Sequence, residues 1–277
     1  MTKSILITGC SSGIGADCAQ VLKRRGWRVF AACRKRKDCE RLEALGFESP
    51  LIDYSDASTI HKGFSEVMEA TNGSLDALFN NGACGLFGAV EDISTAGLRE
   101  IFETNFFGWH ELTRLVLPVM RSQGAGRLVQ CSSTLGFCYL PWRGAYTATK
   151  HALEALSNTL RIELRETNIR VIVIEPGPIT TLFRQNSALM SARWIDWDNS
   201  PYATKYNSGL RQRLSDGRGK KDPFELPPSA VSKKVIKALE SRNPRPRYMV
   251  TGVTYIAAAL CRGLPMRTLD KIAAQIS

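Results

Sequence analysis

The sequence predicts one doubly wound α/β domain, in which a mostly parallel sheet of seven strands has helices on both faces. Short β-branched runs alternate with longer helical patterns over the first 180 residues, as in strands joined by crossover helices. Four of these runs are almost continuously apolar, which is typical of strands covered on both faces. A length of 277 residues suits one domain of this class, so we assign residues 1–277 to a single domain.

Seven apolar or β-branched runs are predicted to be strands: residues 4–8, 28–33, 50–53, 75–80, 127–132, 170–175 and 247–250. Helical patterns fill the intervals at residues 14–25, 37–45, 58–70, 95–122, 145–166 and 229–241, and two short helices are expected after Gly252. Gly26, Gly46 and Asn72-Gly73 follow the first three patterns, where a left-handed residue commonly ends a helix. Right-handed crossovers then connect the strands into one sheet.

Residues 182–226 have a different composition, with aromatic residues among charged residues and glycine and no clear period. A connection of this length is unusual in a compact domain unless it is functional, so we predict a mobile lid over the substrate. Its apolar side chains are expected to cover that substrate: Leu182, Phe183, Leu189, Met190, Trp194 and Trp197. The alternative is that these side chains pack permanently on the core or on a partner subunit.

The charge and the cysteines limit the function classes. Lys and Arg number 37 against 26 Asp and Glu, and nine of the basic residues fall within residues 23–41. This window is either a solvated basic face or a phosphate site, and no known nucleic-acid-binding pattern accompanies it. Eight cysteines without a C-x-x-C pair indicate reduced thiols in the cytoplasm. We expect no signal peptide, no membrane-spanning segment and no metal site.

A glycine-rich turn follows the first predicted strand. Gly9, Gly13 and Gly15 form a G-x-x-x-G-x-G pattern that opens the first helix. Glycine permits a tight turn and a close approach of the backbone to a pyrophosphate, and the helix N-terminus supplies N–H donors. This placement favours a dinucleotide site over a simple turn of small residues.

The end of the second predicted strand carries a basic turn. Enzymes that use NAD commonly place an acid there, whereas this chain has Cys33 followed by Arg34 and Lys35. A guanidinium can bind a 2′-phosphate bidentately, while a carboxylate would repel it. We therefore predict NADP as the cofactor, held by Arg34 and Lys35 with help from Ser11 and Ser12. A solvated basic turn is the alternative.

Tyr146 and Lys150 share one helix face because they are four residues apart. A nearby ammonium stabilises a phenolate and lowers the pKa of the tyrosine, which suits a general acid or base near neutral pH. Such a spacing is common by chance and gains weight only from its surroundings.

The complete set of motifs resembles the short-chain dehydrogenase/reductase family, which has a Rossmann-type fold. The resemblance covers about residues 3–181. It includes Thr8-Gly9-x-x-x-Gly13-Ile14-Gly15, Asn80-Asn81, Asn105, Ser133 placed 13 residues before Tyr146, Lys150 and Pro176-Gly177. The chain departs from the family in one place, because Gly82-Ala83 stands where the family has Ala-Gly. We expect this departure to affect the loop over the cofactor.

The resemblance implies a role for each of these residues. Tyr146 would exchange a proton with the substrate oxygen, and Ser133 would hydrogen-bond to the same oxygen. Lys150 would lower the pKa of the tyrosine and hold the nicotinamide ribose, while Asn105 would support a proton relay through water. The cofactor contacts expected from the resemblance and the basic turn are Gly9, Ser11, Ser12, Gly13, Ile14, Gly15, Arg34, Lys35, Asp53, Asn81, Tyr146, Lys150, Pro176, Gly177, Ile179 and Thr181.

The expected function is therefore NADP(H)-dependent hydride transfer to or from an apolar aldehyde, ketone, retinoid-like or steroid-like substrate. The C-terminal third resembles the branch of the family that handles retinol, steroids and aldehydes. A 3-oxoacyl-thioester reductase would share every catalytic residue, and a non-catalytic NADP-sensing protein is an alternative of another class. We expect a homodimer or homotetramer, because the helices at 95–122 and 145–166 are apolar on more than one face.

Overall fold

The sheet of the computed structural model has six parallel strands in the order β2-β1-β3-β4-β5-β6. These are β1 (Ser4–Ile7), β2 (Arg28–Ala31), β3 (Ala77–Asn80), β4 (Ala125–Cys131), β5 (Asn168–Glu175) and β6 (Arg247–Met249). The structure describes residues 2–215, 222 and 224–276. The strand order reverses between β1 and β3, and ligands of such sheets bind at the carboxyl ends of the strands beside this reversal.

The helices are α1 (Gly13–Arg24), α2 (Arg36–Ala44), α3 (Ala57–Ala70), α4 (Thr95–Phe102), α5 (Gly108–Ser122), α6 (Gly144–Glu163), α7 (Phe183–Trp194), α8 (Ala203–Lys205), α9 (Arg211–Ser215), α10 (Ser229–Glu240), α11 (Gly252–Gly263) and α12 (Met266–Gln275). All four residues of β1 and all four of β3 are buried. Because successive residues of a strand point to opposite faces, both faces of the sheet are covered. The doubly wound prediction is confirmed.

The prediction of seven strands is wrong by one, and Pro50 explains the difference. The backbone of residues 48–52 pairs with β2 and the residues after it only as isolated bridges, Phe30 with Glu48 and Cys33 with Leu51. A regular ladder would need a backbone N–H at position 50 to donate to the Ala31 carbonyl, and proline has none. The Ser49 hydroxyl donates to that carbonyl instead, at 2.7 Å. The segment therefore follows the sheet edge without becoming a strand.

The long helix predicted for residues 95–122 is interrupted. A π-helical turn, Glu103–Phe107, separates α4 from α5 and contains Asn105. Single π-helical turns within α-helices are frequent at functional sites. Asn105 is fully buried, so this irregularity turns a polar side chain inward.

Residues 182–226 contain helices that the sequence did not predict, namely α7, α8 and α9 with a second π-helical turn, Tyr206–Leu210. Both ends of the segment lie together, because Ile179 bridges Leu226 and the Thr180 amide donates to the Leu226 carbonyl at 3.0 Å. Residues 216–221 and 223 of the predicted lid lie outside the described residues.

Two hydrophobic clusters stabilise the molecule. The larger one joins the sheet to its covering helices, and the smaller one packs residues of the 182–215 region against Phe87, Ile101 and Tyr146. Over the described residues, the chain has no helix that is both long enough and apolar enough to span a bilayer.

Candidate active site

One cavity of about 860 Å³ opens at the carboxyl ends of the strands. Most of the predicted site residues line it: Gly9, Ser11, Ser12, Gly13, Ile14, Arg34, Asp53, Asn81, Ser133, Tyr146, Lys150, Pro176, Gly177, Ile179 and Thr181. In the described part of the chain, three predicted site residues lie outside the cavity wall, namely Gly15, Lys35 and Asn105. The structure therefore brings most of the proposed dinucleotide residues and three of the four proposed catalytic residues to a single space.

The glycine turn between β1 and α1 leaves no room for side chains. Gly9 has a φ of +68°, and a Cβ there would lie 2.6 Å from the Gly82 Cα atom. A Cβ on Gly15 would lie 2.4 Å from the Gly9 carbonyl oxygen, so Gly15 permits the close packing of helix and turn without reaching the cavity. The Ser12 side chain does not cap α1, so the N–H groups of its first turn remain available to an anion.

The basic turn after β2 divides between two roles. Arg34 lines the cavity, whereas Lys35 is the exposed N-cap residue of α2. Arg41, which was not predicted from the sequence, donates from Nη2 to the Ser11 carbonyl at 2.7 Å. It belongs to the basic window at residues 23–41, but only the fold shows that α2 carries it to the glycine turn. Arg34 and Arg41 are thus the cations placed at this turn.

The loop after β3 fastens the glycine turn. The Asn81 side chain donates from Nδ2 to the Thr8 carbonyl at 3.0 Å, and the amides of Asn81 and Gly82 donate to the Thr8 hydroxyl at 2.9 and 3.1 Å. Asp53, also on the cavity wall, accepts hydrogen bonds from the Ser55 amide and hydroxyl at 3.0 and 2.8 Å. Both residues therefore border the cavity in fixed orientations.

Ser133 and Tyr146 meet at the end of β4. The Ser133 hydroxyl hydrogen-bonds to the phenol of Tyr146 and also accepts from the Leu135 amide at 3.1 Å. The Tyr146 ring packs against Phe183 with ring centres 5.4 Å apart. Burial raises the pKa of Tyr146 above its usual value, despite the opposing effect of the Ser133 hydrogen bond. The lowered pKa predicted from the sequence is therefore not found in this arrangement.

Lys150 lies beneath the tyrosine, and its side chain is almost completely buried. Its Nζ atom donates to the Cys131 carbonyl at 2.8 Å and lies 4.2 Å from the centre of the Trp109 ring. Burial lowers the pKa of Lys150 to about 8, so the ammonium form still dominates at pH 7. The contact with Trp109 was not predicted, since the two residues are far apart in the sequence.

The Asn105 side chain holds the loop after β3 through hydrogen bonds to its backbone. It accepts from the Cys84 amide at 2.9 Å, donates to the Cys84 carbonyl at 2.8 Å, and donates to the Thr149 hydroxyl at 3.3 Å. These bonds connect the π-helical turn to α6 next to Lys150. The structure places Asn105 beside α6 rather than on the cavity wall.

Two C-terminal helices form a wall that sequence reasoning missed. Val253, Ala257, Leu260 and Cys261 of α11 line the cavity with Leu269, Ile272, Ala273 and Ile276, from α12 and the residue after it. In both sets the spacing repeats at three or four residues, so each set forms one apolar helix face. The spacing was visible in the sequence, but nothing local indicates that these faces point into a cavity.

The expectation that Trp194 and Trp197 face the substrate is wrong. Within the described residues, neither lies on the cavity wall, and both belong to or pack against the smaller hydrophobic cluster. Trp197 stacks edge-to-face on the buried Tyr206 at 4.7 Å, and the Trp194 indole donates to Glu100 at 2.9 Å. Phe183, Leu189 and Met190 do line the cavity, whereas Leu182 is half exposed and lies outside it.

No group of three or more His, Cys, Asp or Glu side chains among the residues described could hold a metal ion.

The sequence profile of the short chain dehydrogenase family matches residues 3–191 of this chain. The chain therefore belongs to that family, and it is an oxidoreductase that acts on alcohol and carbonyl groups.

The chain is 43% identical over 272 residues to the uncharacterized oxidoreductase YbbO of Escherichia coli, a match that covers 98% of this chain and 94% of the relative. It is 28% identical over 275 residues to the NADPH-dependent 3-dehydrocapnine reductase of Ornithobacterium rhinotracheale, covering 96% of this chain and 94% of the relative. A short-chain dehydrogenase from Streptomyces avermitilis has a similar structure, with a TM-score of 0.77 and 26% identity, covering 100% of this chain and 96% of the relative.

Proposed function

We propose that the chain is an NADP(H)-dependent oxidoreductase that interconverts an apolar aldehyde or ketone with its alcohol, with retinoid-like and steroid-like compounds among the candidate substrates. One observation carries this proposal. The glycine turn and Arg34 open onto the same cavity as Ser133, Tyr146 and Lys150. Groups suited to a dinucleotide and groups suited to proton transfer thus share one space, as a nicotinamide-dependent reaction on a carbonyl requires.

The residues around the glycine turn fit a dinucleotide. A Cβ on Gly9 or Gly13 would collide with Gly82 or Thr181, so glycine keeps this turn tight, and the first turn of α1 can donate N–H groups to a pyrophosphate. Arg34, with Ser11, Ser12 and the nearby Arg41, offers donors to a 2′-phosphate, and the absence of an acid at Cys33 favours NADP over NAD. When bound, the cofactor supplies or accepts the hydride. The Ornithobacterium relative is an NADPH-dependent reductase, which supports the same choice.

Tyr146 is the proposed proton donor to a carbonyl oxygen. Because burial keeps the pKa of its phenol high, the hydroxyl is protonated at neutral pH and ready to act as an acid. Ser133, already hydrogen-bonded to this phenol, would orient the substrate oxygen. The Lys150 ammonium would hold the nicotinamide ribose and stabilise the phenolate that forms. Asn105, fixed next to Lys150 through Thr149, would support the return of a proton through water.

The walls of the cavity favour an apolar substrate. The faces of α11 and α12 present alkyl groups and one thiol, and they belong to neither hydrophobic core in the described part of the chain. Thr134, next to Ser133, hydrogen-bonds to Thr254 of α11 at 2.6 Å, and the Tyr139 hydroxyl donates to Asp270 of α12 at 2.9 Å. These bonds fix the apolar wall relative to the reacting groups, so an extended apolar body can lie on it.

We further propose that α7 is the part of residues 182–226 that acts as a lid. Phe183, Leu189 and Met190 line the cavity, and Leu189 is also largely exposed to solvent. Such a side chain lies at the mouth of the cavity, and it would lose the most solvent-exposed apolar surface by covering a bound substrate.

The proposal extends to assembly and location. Phe107, the last residue of the π-helical turn before α5, is exposed by 49%, and Ile162 near the end of α6 by 59%, so both places carry apolar surface away from the core. We propose that a second copy covers this surface in a homodimer or homotetramer. All eight cysteines are free, which agrees with a reducing compartment such as the cytoplasm.

A panel of carbonyl compounds tests the function. Purified protein is mixed with NADPH or NADH and with short and long aldehydes, ketones or a 3-oxoacyl thioester, and the loss of reduced nicotinamide absorbance is followed. The proposal predicts turnover of apolar aldehydes or ketones with preference for NADPH. Turnover confined to the thioester would favour the 3-oxoacyl-thioester reductase, and binding of NADPH without any turnover would favour a sensor.

A further inference from the structure

Trp109 connects the two halves of the site. It lies in α5 with no exposed surface, and neither the sequence motifs nor the family resemblance assigns it a role. Its indole Nε1 donates to the Gly82 carbonyl at 2.8 Å, while its ring face lies 4.2 Å from the Lys150 Nζ atom. One side chain thus touches the loop over the glycine turn and the cation beneath the catalytic tyrosine.

The contact with Lys150 compensates for burial of its charge. The ammonium has three donors, and its hydrogen bond within the protein goes to the Cys131 carbonyl. The titratable groups that face it are the Cys131 and Cys84 thiols, Glu154 one turn along α6, and Tyr146, whose ring centre is 5.7 Å away. An indole face attracts a cation, and this attraction is strongest where water is excluded. Trp109 therefore favours the charged form of Lys150.

The contact with Gly82 affects the glycine turn, where a dinucleotide is proposed to bind. The Gly82 amide donates to the Thr8 hydroxyl at 3.1 Å, and its Cα atom would lie 2.6 Å from a Cβ on Gly9. The position of Gly82 therefore sets the room available at the glycine turn. The chain has Gly82-Ala83 where the family has Ala-Gly, and the Trp109 hydrogen bond fixes the carbonyl of Gly82.

We propose that Trp109 is a positioning residue, which keeps Lys150 cationic through its ring and keeps the Gly82 loop against the glycine turn through its N–H. The link to catalysis rests on the proposed function, but both contacts can be measured without turnover. The two contacts can also be separated, because Trp109→Phe retains an aromatic face and loses the N–H, whereas Trp109→Leu loses both.

The first measurement is the pKa of Lys150, from the pH dependence of its trace acetylation followed by mass spectrometry in the protein without added cofactor. Trp109→Leu should lower this pKa by about 0.7 to 1.5 units, because a desolvated cation–π contact favours the ammonium by a corresponding amount. Trp109→Phe should leave it within about 0.5 unit of the wild-type value. Leu112→Ala, another fully buried change on α5, should lower the melting temperature without moving the pKa.

The second measurement is the affinity for NADPH. Trp109→Phe should weaken it by about twofold to tenfold, because a neutral hydrogen bond that shapes the site is lost.

If the pKa of Lys150 is the same in all four proteins, or if Leu112→Ala shifts it as much as Trp109→Leu does, the ring has no positioning role. If Trp109→Phe binds NADPH as tightly as wild type, the proposed loop contact is overturned. Should Trp109→Leu fail to fold, Trp109→Met, which also lacks an aromatic ring, takes its place in the pKa measurement, and the NADPH affinity of Trp109→Phe still tests the loop contact. If only the proposed function fails, the pKa of Lys150 will shift in the variants as stated above, but the wild type will reduce none of the carbonyl compounds.

Discussion

The Arg247 guanidinium lies 2.6 Å from the Glu175 carboxylate at the carboxyl end of β5. The same guanidinium contacts Glu154 of α6 at 2.9 Å, so one cation offsets two buried carboxyl groups. Burial, and then the charge of Glu154, raises the pKa of Glu175 to about 7. This cluster lies immediately before Pro176-Gly177 and one turn from Lys150, yet it plays no part in the proposed proton transfer.

The cluster predicts a pH dependence of stability. An acid whose pKa is higher in the folded protein than in the unfolded chain stabilises the fold when protonated, so stability should fall as pH rises from about 4.5 to 7. Glu175→Gln should remove this loss, so that its free energy of unfolding rises by roughly 1–3 kcal/mol relative to that of the wild type between pH 5 and 8. Urea unfolding at both pH values measures the difference. Glu163→Gln, an exposed change on α6, should show no such gain, and equal slopes for wild type and Glu175→Gln would contradict the account.

Arg34 should determine the choice of cofactor. Arg34→Ala should weaken NADP binding by about tenfold to hundredfold, because a charged hydrogen-bonded contact to phosphate is lost, while NAD binding changes little. Lys35→Ala is the matched control, since Lys35 is exposed and lies outside the cavity wall. Titration of both cofactors by fluorescence measures the effect. Equal losses for NAD and NADP would show that Arg34 does not contact a 2′-phosphate.

The wall formed by α11 should confer a preference for long apolar substrates. Each buried methylene contributes up to about fourfold in kcat/KM, so lengthening an aliphatic aldehyde from about three to ten carbons should raise this constant. Ala257→Phe should fill part of the cavity and abolish the gain for the longest aldehydes while sparing the shortest. Ala259→Phe places the same ring on the exposed side of the helix and should behave like wild type. A flat chain-length profile in the wild type would contradict this assignment of the wall.

Closure of the lid should be confined to α7. Hydrogen exchange should slow over Phe183–Trp194 when NADPH and an apolar substrate bind, because Phe183 and Leu189 border the cavity. The segment around Trp197 and Tyr206 is already buried and should change little. Equal protection of both segments, or of neither, would show that α7 is not a separate lid.

Local sequence signals predicted the parts of the fold whose determinants lie close together in the chain. The glycine turn, the three left-handed helix ends and the buried strands each depend on a few neighbouring residues, and the structure has them where expected. The extra strand at residues 50–53 was predicted from β-branched and apolar character alone. The prediction gave too little weight to Pro50, whose missing N–H disrupts the ladder.

The parts of the site that depend on tertiary packing were not accessible from the sequence. Arg41 reaches Ser11 only because α2 folds back across the turn, and Trp109 reaches Lys150 only because α5 and α6 are neighbours. Trp194 and Trp197 were expected on the cavity because aromatic residues commonly line apolar pockets. Whether such a residue faces a cavity or the core depends on partners distant in the sequence, here Glu100 and Tyr206.

The most direct test of the central claim is the turnover of Tyr146→Phe with NADPH and an aldehyde that the wild type reduces. The change removes the hydroxyl and keeps the ring packed against Phe183, so NADPH should still bind while kcat falls by about a hundredfold or more. Tyr139→Phe removes another hydroxyl from the same cavity wall and should retain turnover within a few-fold. Near-normal turnover in Tyr146→Phe, with NADPH binding intact, would show that this tyrosine is not the proton donor.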